Sequence, residues 1–282
     1  MCRFILYLGR PITLDVLITR PSNSIIHQSF QSVLRSEPLN GDGFGVAWYE
    51  RELSPEPATF RSIQPAWNDT NLLELARVCR SPAVLAHVRA ATAGSSVSQA
   101  NCHPFAVGRF AFMHNGVVAN FAQHKRSIAA RLSDIAYTRI QGTTDSELLF
   151  GLFCDHHAAL QADDETEAIA MALEKTIEEI VALNSAGNPQ QASHLNLVVC
   201  DGTRAVVSRY STEGESPSLF MARGSECVCR SGVCRLISTR ACDSSIIVAS
   251  EPLNDDPHWD SVPHNHLLII SPDRSVDFRP LR

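Results

Sequence analysis

Cys2 directly follows the initiator methionine and opens a short apolar run, Arg3-Phe4-Ile5-Leu6-Tyr7-Leu8. Removal of Met1, which a small second residue permits, would leave one residue carrying both a thiol and a free α-amine. A thiol attacks as thiolate, and its unperturbed pKa is about 8.5. The α-amine titrates at about 7.7–8.0, so near neutrality part of it is free to take a proton. Such a residue supplies nucleophile and base together. The competing reading is a buried strand cysteine packing as a small hydrophobe. Other residues have to decide between the two.

Asn115-Gly116 follows a strand-like segment. Asn-Gly is a strong hairpin signal, so a plain tight turn is one reading. In the other, the glycine N–H and the asparagine amide are the two convergent donors of an oxyanion hole. Arg89 ends an apolar run among small residues, Ala86-His87-Val88-Arg89-Ala90-Ala91-Thr92-Ala93. It is either a solvated charge or a guanidinium fork facing a cavity, able to hold a carboxylate bidentately. Asp145 stands at a helix start behind Thr144, where the dipole favours negative charge, and could also pair with a substrate ammonium. His87, His103 and His114 lack a ligand spacing such as H-E-x-x-H and read as hydrogen-bonded structural groups ahead of metal ligands or a Cys–His dyad. A thiol with oxyanion donors implies acyl transfer from an amide. An arginine and an aspartate imply recognition of both ends of an α-amino acid. Together they describe glutamine or a γ-glutamyl compound.

The elements that must position these residues read as follows. Residues 1–8 form a buried strand ended by Gly9 and Pro11, and 12–18 a short helix. Strands are expected at 44–49, 58–63 and 83–88, with a helix at 72–78. Residues 105–107 and 110–114 form a hairpin around Gly108-Arg109. Thr144-Asp145-Ser146-Glu147 is a capping box before 148–153. Asp163-Asp164-Glu165 opens a helix whose apolar face is Ile169, Leu173, Ile177, Ile180 and Val181. A loop at 184–193 precedes strands at 195–200, 205–210, 219–222, 246–249 and 267–270. Strand blocks at both ends around central helices predict two packed sheets sandwiched by helices.

Composition narrows the function classes. The 282 residues are 44% hydrophobic and 19% charged with a net charge of −6, enough for a large core and adverse to nucleic-acid or anionic-membrane surfaces. No run approaches twenty apolar residues, and Gly9-Arg10-Pro11 cuts off a signal-peptide segment. Nine scattered cysteines without such a signal fit free thiols in a reducing cytoplasm. The group Cys227, Cys229, Cys234 and Cys242 lacks paired zinc knuckles, so strand or loop thiols are expected there.

Taken in order, Met1-Cys2-Arg3-Phe4, Asn40-Gly41-Asp42-Gly43-Phe44-Gly45, His87-Val88-Arg89, Asn101-Cys102-His103-Pro104-Phe105, Met113-His114-Asn115-Gly116 and Gly142-Thr143-Thr144-Asp145-Ser146-Glu147 resemble the class II glutamine amidotransferases. These are N-terminal nucleophile hydrolases. Residues 17–21, 24–30 and 63–69, with Ala249-Ser250-Glu251-Pro252-Leu253, resemble the stand-alone subgroup that includes the fungal glutathione-degradation subunit and the ergothioneine-pathway γ-glutamyl hydrolase. The resemblance implies an α+β fold, a four-layer αββα sandwich of two mostly antiparallel sheets. It implies one type-2 amidotransferase domain over 1–282, with the signature motifs within 1–150 and the strands of 194–282 completing the sandwich.

In this resemblance Cys2 is the nucleophile and its α-amine the base, acting through a water. Asn115 and Gly116 form the oxyanion hole. Arg89, aided by Thr92, binds the α-carboxylate, and Asp145 binds the α-ammonium. Asn40-Gly41 holds the Cys2 amine through a backbone carbonyl, and His87 lies close by. No cofactor or metal is implied. The hexosamine-forming members have Trp and His flanking the threonine that matches Thr92, where this chain has Ala90 and Ala93. The opened wall suits a γ-glutamyl peptide. The substrate is thus a small molecule, glutamine or a γ-glutamyl peptide, hydrolysed in the cytoplasm by the chain alone or beside a metallopeptidase-like or acceptor partner. The rival readings are a glutaminase subunit passing ammonia to a partner, a non-catalytic glutamine-binding regulatory subunit, and a metal-binding protein.

Overall fold

In the first strand, β1 (Arg3–Thr13), Phe4, Leu6 and Leu8 point to one side and Ile5 and Tyr7 to the other, and all five are buried. A strand buried on both faces lies inside a stack of layers. The computed structural model, which describes residues 2–34, 39–91, 96–185, 192–230, 233–238 and 245–281, shows that stack. β1 is central in a seven-stranded sheet with β2 (Phe44–Trp48), β3 (Ala58–Ser62), β4 (Arg80–Val88), β9 (Phe220–Arg223), β12 (Ile246–Ala249) and β13 (Asp260–Ser261), ordered β13-β9-β12-β1-β4-β2-β3. A six-stranded sheet holds β5 (Phe105–Val107), β6 (Phe110–Val117), β7 (His194–Cys200), β8 (Ala205–Arg209), β14 (His266–Ile270) and β15 (Val276–Pro280), ordered β15-β14-β8-β7-β6-β5. Neighbouring strands pair antiparallel throughout. β10 (Ser225–Arg230) and β11 (Val233–Ser238) pair separately, with Cys229 opposite Cys234 and Cys227 opposite Leu236; Cys242 lies outside the described residues.

Helices cover both outer faces. α1 (Asp15–Ile18), α2 (Ile25–Phe30) and α3 (Thr70–Val78) put Val16, Leu17, Ile25 and Leu72 against Ile5, Val84 and Val88 of the first sheet. α6 (Asp145–Ala159) and α7 (Glu165–Ser185) pack on the second, flanked by α4 (Phe121–Ala129) and α5 (Asp134–Thr138). Ile169, Leu173, Ile177 and Ile180 of α7 are buried there and Val181 packs partly buried beside them, the face expected from helical spacing. α6 is buried continuously from Ser146 to Phe153, as a helix enclosed on all sides must be. Between the sheets, Phe4, Leu6, Leu85, Ala111, Met113, Val198 and Leu268 form the inner layer. The four-layer αββα expectation is met.

Some boundaries differ. β1 does not stop at Gly9 but continues to Thr13 through a register shift between Leu8 and Ile12, so Ile12 is strand and the helix starts only at Asp15. A bulge accommodates Pro11 where the ladder is interrupted. The capping box is half formed: Thr144 Oγ1 accepts from Glu147 N at 3.3 Å, but the Glu147 carboxylate accepts from Gln141 N at 2.8 Å and Gly142 N at 2.7 Å instead. Helix α7 runs to Ser185, and residues 186–191 of the expected loop lie outside the described residues.

Candidate active site

Strand alternation decides where the candidate residues point. Cys2 precedes β1 with the parity of Phe4 and Leu6, and Arg89 follows β4 with the parity of Ala83 and Leu85, all four of which face the inner layer. Asn115 on β6 shares the parity of Ala111 and Met113, which face the same layer from the other sheet. Since Arg3 pairs with Val88, the ends of β1 and β4 lie side by side. Cys2, Arg89 and Asn115 therefore converge on one end of the space between the sheets.

Asn115-Gly116 is not a turn. β6 continues through both residues, which pair with Asn196 and Leu195 of β7. The N–H groups of Leu195 and Leu197 go to Tyr210 O (2.9 Å) and Ser208 Oγ (3.1 Å), on the β8 side. Antiparallel ladders alternate, so Asn196 turns its backbone to Asn115, and Gly116 turns its N–H off the opposite edge of β6. β5 covers that edge only as far as Phe112, which leaves the Gly116 N–H beyond the hairpin partner. The His114 carbonyl points the same way and accepts from His87 Nε2 at 3.1 Å. Gly116 is required as glycine, because an added Cβ would run into the His194 carbonyl.

The thiol of Cys2 is partly buried, with Sγ 3.6 Å from Ala90 O. Burial pushes its pKa up, and the positive charges of Arg89 and Arg3 only partly oppose this. The resting form is a neutral thiol that needs a base. Arg89 is buried; its guanidinium donates to the backbone carbonyls of Asp42 (3.4 Å) and Ser96 (3.2 Å). Its backbone is laced to the Asn40–Gly43 loop through Asp42 N to Arg89 O (3.0 Å) and Arg89 N to Gly43 O (2.8 Å). The Asp42 carboxylate takes the Ala91 N–H at 2.8 Å, and Asn40 N donates to Ser29 O at 2.7 Å. Gly41 lies under the Trp67 ring, which an added Cβ would approach to 3.1 Å. Thr92 lies outside the described residues.

Asp145 begins α6 half-buried. Its Oδ2 accepts from Val118 N at 2.8 Å and its Oδ1 from Ser146 N at 2.8 Å, which ties the helix start to the chain immediately after β6. His114 points to the helix side, Nδ1 to Ser146 Oγ at 2.9 Å and Nε2 to His194 O at 3.0 Å. His87 and His103 are buried against each other, ring centroids 4.3 Å apart and planes tilted by 35°. Burial holds both neutral, His87 at a pKa of about 3 and His103 well below the usual imidazole value. His87 thus donates from Nε2 and braces the His114–Asn115 peptide. The Cys2 sulfur meets a carbonyl and not an imidazole. Among the described residues no three His, Cys, Asp or Glu side chains are arranged to hold a metal.

Two residues of the site were not singled out as such in the sequence. Glu251 is fully buried and accepts from Arg3 Nε at 2.7 Å, Val33 N at 3.0 Å and Leu34 N at 3.4 Å. Arg3 in turn donates from Nη1 to Cys2 O at 2.9 Å. Ser250 Oγ accepts from Phe4 N at 3.1 Å and lies 3.3 Å from Asn115 Nδ2. Ser250-Glu251 thus brackets Cys2 from a position 248 residues away along the chain. The signal was the Ala249–Leu253 motif, which carried a resemblance but no assigned role. A cavity of about 600 Å³ lined by Arg61, Phe105, Gln141, Glu147, Phe150 and Cys154 contains none of the three convergent residues.

Known proteins share this sequence and architecture. A family model described as glutamine amidotransferases class-II matches residues 19–222. The probable glutamine amidotransferase DUG3 of Saccharomyces cerevisiae is 42% identical over 292 residues, spanning 96% of this chain and 82% of that protein. The gamma-glutamyl-hercynylcysteine sulfoxide hydrolase of Mycolicibacterium smegmatis is 26% identical across 100% of both chains. A solved glutamine aminotransferase class-II domain protein from Silicibacter pomeroyi superposes with a TM-score of 0.70 at 28% identity, over 99% of each chain. The glutamine phosphoribosylpyrophosphate amidotransferase of B. subtilis, at 13% identity and a TM-score of 0.62, matches all of this chain with 49% of its own and shares the fold. With an inner layer that gathers a second-position cysteine, a buried arginine and a strand-borne Asn-Gly pair, the chain belongs to the class-II glutamine amidotransferases, enzymes that act on amide C–N bonds.

Proposed function

We propose that the protein hydrolyses a γ-glutamyl amide through an N-terminal Cys2 nucleophile. The observation that carries this reading is the convergence of Cys2, Arg89 and Asn115 on one end of the inter-sheet space, with Asp145 bonded to the backbone just beyond Gly116. In the proposed reaction Met1 is removed. The freed α-amine, held by a carbonyl of the Asn40-Gly41 turn, takes the Cys2 proton through a water. Sγ attacks the γ-carbonyl carbon, and the C=O electron pair moves onto oxygen. The Gly116 N–H and the Asn115 amide stabilise that oxyanion. Collapse expels the amine, which leaves with the proton held by the α-ammonium, and a γ-glutamyl thioester remains. Water, deprotonated by the same amine, then releases glutamate and restores the thiol. A thiol attacks only as thiolate and needs such a base.

Arg89, aided by Thr92 in the family resemblance, takes the substrate α-carboxylate, and Asp145 the α-ammonium. Positive and negative groups at fixed separation select an α-amino acid end and leave the amine side of the amide open to variation. Glutamine would release ammonia and glutathione would release cysteinylglycine. The names of the relatives, a probable glutamine amidotransferase and a gamma-glutamyl-hercynylcysteine sulfoxide hydrolase, support a γ-glutamyl substrate. A partner that accepts the released amine, and a cytoplasmic site of action, belong to the same proposal; the free thiols of Cys2, Cys79, Cys102, Cys154 and Cys200 suit a reducing compartment.

The test compares glutamate release from glutamine, glutathione and a longer γ-glutamyl peptide by protein lacking Met1, with and without a candidate metallopeptidase-like partner. Release from at least one substrate is expected. No release from any, together with intact glutamine binding, would replace the reading with a regulatory binding subunit.

A further inference from the structure

Ser250 follows β12 and is 1% exposed, yet it touches both sheets. Its N–H donates to Phe4 O at 3.1 Å and its Oγ accepts from Phe4 N at 3.1 Å, two residues from Cys2. The same Oγ reaches across the inter-sheet space to the Asn115 carboxamide at 3.3 Å. A hydroxyl has one proton to donate and two lone pairs to accept with. Phe4 N–H occupies one lone pair. With Nδ2 turned toward Oγ, the Ser250 proton has no acceptor among the described residues, and the buried Asn115 Oδ1 has no donor. A half-turn of the carboxamide about its last bond exchanges oxygen and nitrogen in place. Ser250 Oγ–H then donates to Oδ1, and both Nδ2 hydrogens lie on the side away from Ser250, where no described residue bonds that end of the amide and an oxyanion could.

Resting on the reading of Asn115 as an oxyanion donor, we propose that Ser250 is a positioning residue: its hydroxyl holds Asn115 Oδ1 so that Nδ2, and not the carboxamide oxygen, faces the developing negative charge. Without that anchor the amide turns either end to the site, and the oxygen would repel the oxyanion. Because Ser250 acts through Asn115, its loss slows the chemical step while the clamp of Arg89 and Asp145 binds substrate as before.

The experiment uses protein lacking Met1 and whichever of glutamine or glutathione it hydrolyses faster. It measures kcat, KM and the rate of Cys2 alkylation by iodoacetamide. Asn115→Ala is expected to lower kcat by about 10²–10³-fold, the cost of one oxyanion donor. Ser250→Ala is expected to lower kcat by roughly 10–100-fold with KM changed less than about twofold, the pattern of an interaction made only in the transition state. Adding Ser250→Ala to Asn115→Ala should cost nothing more, since one residue acts through the other. Cys2 alkylation should be unchanged, and Ser250→Thr, which keeps the hydroxyl, should recover most of the rate. Ser250→Cys preserves the volume with a weak donor and reads the same kcat loss should the alanine variant not fold. Losses that multiply in the double variant, alkylation that falls in step with kcat, or Ser250→Thr no better than Ser250→Ala would overturn the proposal. If Asn115→Ala itself leaves kcat unchanged, the oxyanion assignment fails and the proposal falls with it; if Asn115→Ala is slow and Ser250→Ala is not, only the Ser250 proposal fails.

Discussion

Glu251→Gln removes the charge from a carboxylate that is 0% exposed while keeping its shape. In the native protein that carboxylate sits 2.7 Å from Arg3 Nε, also accepts from the Ser32 hydroxyl, and takes the Val33 and Leu34 N–H groups. Arg3 is itself only 1% exposed, so the variant leaves its guanidinium in a dry site without the anion built against it. Breaking a buried pair from one side costs about 3–5 kcal/mol. On a chain of this size that corresponds to a fall in Tm of roughly 5–8 °C. Because Arg3 Nη1 also holds Cys2 O, activity should fall at temperatures where the variant is still folded. A pH signature accompanies the loss. Burial pushes the Glu251 carboxyl up, but the Ser32 and Arg3 hydrogen bonds outweigh it and the folded pKa lies below the ordinary carboxylate value. Stability from this group is therefore present above the unfolded pKa, about 4.3, and is lost as pH falls through the lower folded value. Differential scanning calorimetry between pH 3 and pH 7 should show the gap between the two proteins narrowing at the acid end, on the order of that titration. A Tm within about 2 °C of the native protein at neutral pH would mean that the Glu251 charge does not hold Arg3.

Two further outcomes follow from the site. His87, whose pKa burial pushes from 6.5 down to about 3, takes up a proton more readily when unfolded, so it lowers stability progressively as pH falls below 6.5. His87→Gln should flatten the drop in Tm between about pH 6.5 and pH 5, and an unchanged slope would contradict the neutral, buried assignment. Arg89→Lys replaces a planar fork with a point charge and should raise KM for glutamine or glutathione about tenfold or more while kcat changes less. Equal KM values would remove Arg89 from the carboxylate clamp.

Local pattern carried much of this fold. The two-sided burial of β1, the hairpin around Gly108-Arg109 and the apolar face of α7 depend on near neighbours, and the structure places them where the sequence predicts. What the sequence hid depends on distant partners. Asn115-Gly116 looks like a turn because its strand partner, Asn196-Leu195, arrives some eighty residues later. Glu147 reads as half of a capping box, but the preceding backbone at Gln141 and Gly142 claims its carboxylate. The links from Ser250 and Glu251 to Phe4 and Arg3 join opposite ends of the chain, and no spacing rule reports them. Cys2, Arg89, Asn115 and Asp145 stood out in the sequence because their chemistry is uncommon in combination; their roles are those proposed above. The residues that hold them in place are ordinary Ser, Glu and His side chains whose meaning appears only once the sheets are stacked.

The measurement that bears most directly on the central claim is glutamate release by protein with Met1 removed, set against its Cys2→Ala variant at matched Tm. Steady release is expected from the native protein and none above background from the variant, with Met1 absent from the active species by intact mass. A Cys2→Ala protein that hydrolyses γ-glutamyl amides at the native rate, or full activity with Met1 retained, would contradict it.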